Sequence, residues 1–272
     1  VDSGVCAILG NMAIGQRLHC IFVDTGLLRE GESERIMAFY GEQMGLNLLR
    51  VDAKDTFLTA LRGVRSAKEK ETIIFRLLRE TLEKARAELQ GATVVIQGTN
   101  YSDVLSGHGL SGAAEAALLE GECVLEPVRE LFKDEIRRVA EELGLPQLVI
   151  QRQPFPGSGL ALRILSDVTE EKLNVLRRAD AIFREEIEEN GQSKRLWQYF
   201  ATLAENPAEE DGSMVVTLRA VQVSDGAAAM EARLPYDLLE TTVETIRRQV
   251  PCIRRVVYDL TPSGSYSGIE WR

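Results

Sequence analysis

The sequence predicts an α/β protein, a parallel sheet with helices on both faces, followed by a smaller α+β unit. Short apolar or β-branched runs at 18–24, 46–51 and 93–97 alternate with stretches of helical periodicity, the order produced by crossover connections in a parallel sheet. The first run, LHCIFVD, is apolar at successive positions, as a strand buried on both faces is. Beyond it, Gln153-Pro-Phe-Pro-Gly-Ser-Gly159 is rigid, turn-rich punctuation, which places a domain boundary near 150 and gives units 1–150 and 151–272.

Composition narrows the function. With 42 acidic against 32 basic side chains the net charge is −10, which disfavours a general nucleic-acid binder. The four cysteines, Cys6, Cys20, Cys123 and Cys252, are widely spaced with only His19 and His108 to join them. Neither a disulfide framework nor a zinc site is indicated, and the expected setting is a reducing cytoplasm. No apolar run approaches the roughly 20 residues needed to span a bilayer, so no membrane partner is expected.

In chain order, Asp2 and Ser3 precede a small, apolar run (Val5, Ala7, Ile8, Leu9, Met12) that predicts a buried helix. Free N–H groups at such a start suit an anion such as pyrophosphate, while Asp2 or Ser3 equally serves as an ordinary N-cap. Val1 does not read as a natural start. Strand 18–24 ends in Asp24-Thr-Gly26, at the edge where ligands of open α/β sheets bind, although Asp24 also fits a plain turn. Ile36, Met37, Tyr40 and Met44 recur at helical spacing up to Gly45. From 68 to 89, apolar positions 73, 74, 77, 78, 82, 85 and 89 trace one helix stripe, the charged remainder reading as a solvated face. Strand 93–97 is followed by Gly98-Thr99-Asn-Tyr-Ser-Asp103; Asp103 suits either Mg²⁺ or a turn cap. Phe132, Ile136, Val139, Ala140 and Leu143 bury a helix face and leave Lys133 on another, for phosphate charge or for a surface salt bridge. Arg152 and Arg163 flank the Pro/Gly loop and suit an oxyanion or the surface. Asp167 with Glu170 fits a capping box for a helix to about 189. An acidic loop (206–212), strands 214–221 and 254–260 and a helix 238–249 complete the α+β unit.

Val1-Asp2-Ser3 resembles the end of the Ser-Gly-Gly-x-Asp-Ser pyrophosphatase loop of the N-type ATP-pyrophosphatases. Later stretches resemble one member group, the GMP synthetases: HCIFVDTGLLR (His19 to Arg29), QGTNYSDV (Gln97 to Val104), EPVRELFKDEIR (Glu126 to Arg137), QPFPGSGLALR (Gln153 to Arg163), LPYD (Leu234 to Asp237), and Arg255 to Asp259 with Ile269-Glu270-Trp271. These motifs occur in the family's order over nearly the whole chain. The resemblance implies an adenine nucleotide alpha hydrolase-like fold lacking its first strand, with a C-terminal dimerisation domain. It implies a ligase that adenylates XMP with ATP and Mg²⁺, releases pyrophosphate, and lets ammonia displace AMP to give GMP.

The implied residues are Asp2 and Lys133 for catalysis; Asp2, Ser3, Val23, Asp24, Gly98, Thr99 and Lys133 for ATP and pyrophosphate; Asp2 and Asp103 for the metal; and Arg152, Arg163, Ile269 and Glu270 for the acceptor. No cysteine has a Gly-x-Cys-x-Gly setting, so the expected ammonia source is a separate glutamine amidotransferase subunit or a missing N-terminal domain. The expected assembly is a homodimer. Departures are specific. The family's lid carries Lys-Ser-His-His-Asn where this chain has Ser-Gly-His-Gly-Leu around His108. Its terminal Lys-Pro-Pro-x-Thr-Ile-Glu-Trp is replaced by Gly264, Ser265, Tyr266 and Gly268 before Ile269. A paralogue using another acceptor, and a silent nucleotide-binding dimer, stay open.

Overall fold

The computed structural model describes residues 1–89, 91–105, 123–150, 153, 155–208, 212–223 and 229–261. In chain order these form α1 (Asp2–Ile14), β1 (Cys20–Asp24), α2 (Glu32–Ile36), β2 (Leu48–Asp52), α3 (Lys54–Leu61), α4 (Ala67–Ala87), β3 (Val94–Ile96), α5 (Tyr101–Leu105) and β4 (Cys123–Leu125). There follow α6 (Lys133–Glu142), α7 (Gln147–Ile150), α8 (Glu170–Glu189), β5 (Gln198–Glu205), β6 (Met214–Val223), β7 (Ala229–Glu231), α9 (Tyr236–Gln249) and β8 (Ile253–Tyr258). The chain divides into two compact units. One comprises Val1–Thr25, Glu32–Ala53 and Ile74–Arg152; the other comprises Gly26–Gly31, Lys54–Ile73 and Gln153–Arg272. The second unit therefore recruits two short stretches from the first half of the sequence.

The first unit is mixed α/β. β1 pairs parallel with β2 from Cys20↔Leu48 to Asp24↔Asp52, and β3 pairs parallel with β4 from Val94↔Cys123 to Ile96↔Leu125. Where a single sheet is expected, the described strands form two separate parallel pairs. Val5, Cys6 and Ile8 of α1 share a core with Ile136 and Ala140 of α6, closed by Val128, Leu145 and Ile150. This packing fixes the two helix starts in one unit. Two expected core residues lie elsewhere: Met12 is exposed, and Phe132, just before the first turn of α6, is half-exposed. The spacing at 36–44 is helical but wider than an α-helix, with Met37–Gln43 continuing α2 as a π-helix.

The second unit carries a four-stranded sheet. β5, β6 and β7 are antiparallel neighbours, and β8 adds to β6 in parallel. α8 packs on β5 and on α9, burying Leu173, Leu176, Ala179, Ile182, Phe183 and Ile187. Its N-cap is Thr169, whose Oγ1 accepts the Lys172 N–H at 3.2 Å. Asp167, expected to cap, instead takes the Lys172 ammonium at 2.7 Å. β5 is absent from the elements the sequence predicts: Gln198 to Leu203 is buried at every position, so no polar alternation marks it as a strand.

Candidate active site

The start of α1 gathers most of the residues singled out in the first unit. Its first internal bond runs from the Val5 N–H to the Val1 carbonyl at 2.8 Å, so the N–H groups of Asp2, Ser3 and Gly4 have no acceptor within the helix. A Cβ on Gly98 would lie 2.7 Å from the Ser3 nitrogen and 2.9 Å from the Asp2 carbonyl carbon. Only glycine lets the turn after β3 approach the helix start this closely. Beside it, Thr99 is buried, and its Oγ1 has no hydrogen-bond partner among the described residues.

Lys133, the first residue of α6, donates its ammonium to Asp2 Oδ2. The two residues expected to act in catalysis therefore meet across 131 positions of sequence. The other oxygen, Asp2 Oδ1, is buried and has no partner among the described residues. The result is a helix start, a cation and a carboxylate oxygen without a hydrogen-bond partner among the described residues, side by side, suited to phosphate groups and an accompanying cation. Asp103 caps its own turn. Its Oδ2 accepts the Asn100 N–H at 3.1 Å, while Asn100 Oδ1 accepts the Asp103 N–H at 3.1 Å. Among the described residues no three His, Cys, Asp or Glu side chains cluster to hold a metal by themselves.

Asp24 is engaged at the end of β1. Its carboxylate is 1% exposed, and Oδ2 accepts Ser33 Oγ at 2.7 Å and Arg50 Nη2 at 2.6 Å. That hydrogen bond raises the Arg50 pKa. The carboxylate fastens the end of β1 to β2. Val23, buried one residue earlier, pairs with Val51.

In the second unit Arg163 is likewise internal. At 0% exposure its guanidinium lies 4.4 Å from the Phe200 ring centre and 5.2 Å from that of Phe155, with Nη1 3.7 Å from Asp180 Oδ1. Arg29 Nε approaches Asp180 Oδ2 at 3.4 Å, and Asp180 Oδ1 also accepts the Ala201 N–H at 3.0 Å. Of the two readings of Arg163, the surface one does not hold: its side chain lies in the interior behind the turn Gly159–Arg163. Arg152, His108, Ile269 and Glu270 lie outside the described residues.

The residue that sequence reasoning misses is Lys70. It is 1% exposed, and its Nζ donates to the carbonyls of Ala161 (3.3 Å), Ile164 (2.6 Å) and Ser166 (2.5 Å). Burial pushes its pKa down to about 8, with Asp167 pulling the other way. The available signal is positional: Lys70 precedes Ile74 and Leu77 on the apolar stripe of α4, not on its charged face.

The class of protein these features define is an α/β unit with a phosphate-type helix start, followed by an α+β unit. The family profile described as GMP synthase C terminal domain matches residues 185–271. The chain is 44% identical over 290 residues to a GMP synthase [glutamine-hydrolyzing] of Caldicellulosiruptor saccharolyticus, covering all of this chain and 56% of that protein. It is 43% identical to a subunit of the GMP synthase [glutamine-hydrolyzing] of Methanocaldococcus jannaschii and 45% identical to the same subunit of Methanococcus maripaludis, in each case over 96% of this chain and 87% of the relative. The chain belongs to the GMP synthase family. It spans about half the length of the Caldicellulosiruptor relative and most of the length of the two methanogen subunits.

Proposed function

We propose that this chain is the synthetase portion of a GMP synthase, a ligase that converts XMP, ATP and ammonia to GMP, AMP and pyrophosphate. The observation that carries the reading is the Lys133–Asp2 pair at the start of α1. The N–H groups of Asp2 and Ser3 and the Gly98–Thr99 turn cradle the ATP phosphates, in an adenine nucleotide alpha hydrolase-like fold. The xanthine C2 oxygen of XMP attacks the α-phosphorus; the bond to the β-phosphate bridging oxygen breaks, and pyrophosphate departs. Lys133 faces the charge that develops on that leaving group, a positioning and electrostatic role. Ammonia then adds at C2, loses a proton to solvent, and expels AMP.

Asp2 Oδ1 is a buried oxygen with no hydrogen-bond partner among the described residues, and Asp103 supplies a second carboxylate on the following helix. With phosphate oxygens these fit Mg²⁺, which favours few protein ligands. When bound, the ion supplies charge neutralisation on the phosphates. The second unit holds XMP and forms a homodimer, and ammonia comes from a glutamine amidotransferase in the cytoplasm.

The test is GMP formation from XMP, Mg·ATP and ammonium chloride, with ATP–pyrophosphate exchange as the partial reaction. Turnover with XMP-dependent exchange supports the reading. Exchange that needs a different acceptor, or nucleotide binding without exchange, sinks it.

A further inference from the structure

We infer, on the reading that the start of α1 takes the phosphates of ATP, that Lys133 keeps a bare divalent cation off Asp2, so that metal and phosphate occupy this site together. Lys133 is the first residue of α6, and its ammonium donates to Asp2 Oδ2. A cation at that end of a helix stands against the helix dipole, because it adds to the positive pole. The pair does not make up for this in stability, since both side chains keep some exposure to water. What the lysine brings to this position is its charge beside the carboxylate.

A divalent ion arriving alone meets two opposing features. The N–H groups of Asp2, Ser3 and Gly4 have no acceptor within α1 and present the positive end of that helix. The ammonium already holds one oxygen of Asp2, and two cations repel across a shared carboxylate where burial weakens screening. Among the described residues no three His, Cys, Asp or Glu side chains cluster to offset this charge. Phosphate reverses both features. Its oxygens accept from the helix N–H groups and draw the ammonium to themselves, which leaves the carboxylate to the metal. Such coupling is reciprocal: phosphate raises the affinity for metal by the factor by which metal raises the affinity for phosphate.

The experiment titrates the full chain with Mn²⁺ alone, bound ion being read by electron paramagnetic resonance, and repeats the titration with inorganic pyrophosphate. Wild type is compared with Lys133→Met, Lys133→Gln and the double variant Asp2→Asn/Lys133→Met. Both single variants are expected to bind Mn²⁺ about tenfold or more tightly than wild type in the absence of pyrophosphate. The double variant loses that gain. Pyrophosphate should tighten Mn²⁺ by a larger factor in wild type than in Lys133→Met. Mn²⁺ affinity that is equal or weaker in both single variants, a gain that survives Asp2→Asn, or a pyrophosphate factor no larger in wild type overturns the inference. Loss of folding in both single variants overturns it too, because the pair then serves the fold. None of these measurements involves XMP or turnover. Wild-type protein lacking XMP-dependent ATP–pyrophosphate exchange would instead overturn the underlying functional reading, so the two failures are distinguishable.

Discussion

Asp2 and Lys133 form an ion pair between the first turn of α1 and the first residue of α6. The Lys133 side chain is 39% exposed, so the pair contributes no more than about 1 kcal/mol to stability. Its value lies in where the charge stands. Lys133→Met is expected to slow ATP–pyrophosphate exchange by about 10²–10³-fold, the range for losing one pre-organised electrostatic contact. The thermal midpoint should hardly move. A variant that melts early yet turns over normally would show that the pair serves the fold.

The close approach at Gly98 makes a separate prediction. A methyl group there meets backbone of Ser3 and Asp2, not a flexible side-chain tip. Gly98→Ala should cost about 1–3 kcal/mol from overpacking and raise the ATP half-saturation through displacement of the α1 start. At Gly4 the obstacle is instead the Tyr40 side chain, whose Oη would collide with an added Cβ while Cζ stands 3.0 Å away. Tyr40→Phe should therefore recover part, not all, of the stability lost in Gly4→Ala. Chemical denaturation of the two singles and the double measures the coupling.

How much of this is readable in the sequence depends on whether a residue's partners are local. β1, β2, β3, α4 and α8 follow from periodicity, because the spacing of buried positions is a property of the segment itself. The Asp2–Lys133 pairing is not legible in the sequence, where the family motifs imply only a part for each residue, since 131 positions separate the partners. Periodicity is silent or misleading where tertiary surroundings override side-chain polarity. β5 is buried on both faces and shows no alternation. Lys70 carries a charge yet lies among carbonyls, and Arg163 and Asp24 are polar yet internal. Each of these charges is met by partners distant in sequence, Lys70 by segment 161–166 and Arg163 by Asp180 and two rings.

Asp24 allows a test of the buried carboxylate at the end of β1. Replacement by Ala removes the acceptor for Ser33 and Arg50 at once. Arg50 is 32% exposed and can turn to water, so the expected loss is about 1–3 kcal/mol and not the larger cost of a stranded buried charge. Asp24→Asn keeps one acceptor oxygen and should lose less. Denaturant midpoints for the two variants provide the check; equal stability to wild type would show that the carboxylate does not hold β1 to β2.

Asp180 should be the more severe site. It is 1% exposed, faces Arg29 and Arg163, and accepts the Ala201 N–H of β5. Asp180→Ala takes the negative charge away from two buried guanidinium groups, and breaking such an arrangement typically costs about 3–5 kcal/mol. Asp180→Asn retains an acceptor for Ala201 but not the charge, so the difference between the two variants in denaturant separates the hydrogen bond from the electrostatics.

Lys172 predicts a pH dependence whose sign can be worked out. Its ammonium lies 2.7 Å from Asp167 Oδ1 and 2.9 Å from Glu205 Oε1, and Arg65 also reaches Glu205 at 3.2 Å. The hydrogen bond from Lys172 holds Asp167 below its ordinary 3.8 and Glu205 below its ordinary 4.5. A carboxylate whose pKa is depressed on folding binds fewer protons in the native state than in the unfolded state. Its stabilisation is fully present above the ordinary value and is lost as the pH falls through the folded one. The network should therefore leave the thermal midpoint flat near about pH 6 and contribute to a decline that begins below about pH 4.5. Lys172→Met returns both carboxylates toward their ordinary values, so it lowers the midpoint near neutrality but flattens the acid decline. Comparing the two proteins cancels the common contribution of the remaining carboxylates. Because the Glu205 side chain is 47% exposed, added salt should shrink the difference by screening. Parallel acid profiles in wild type and Lys172→Met would show that the carboxylates are unperturbed by the lysine.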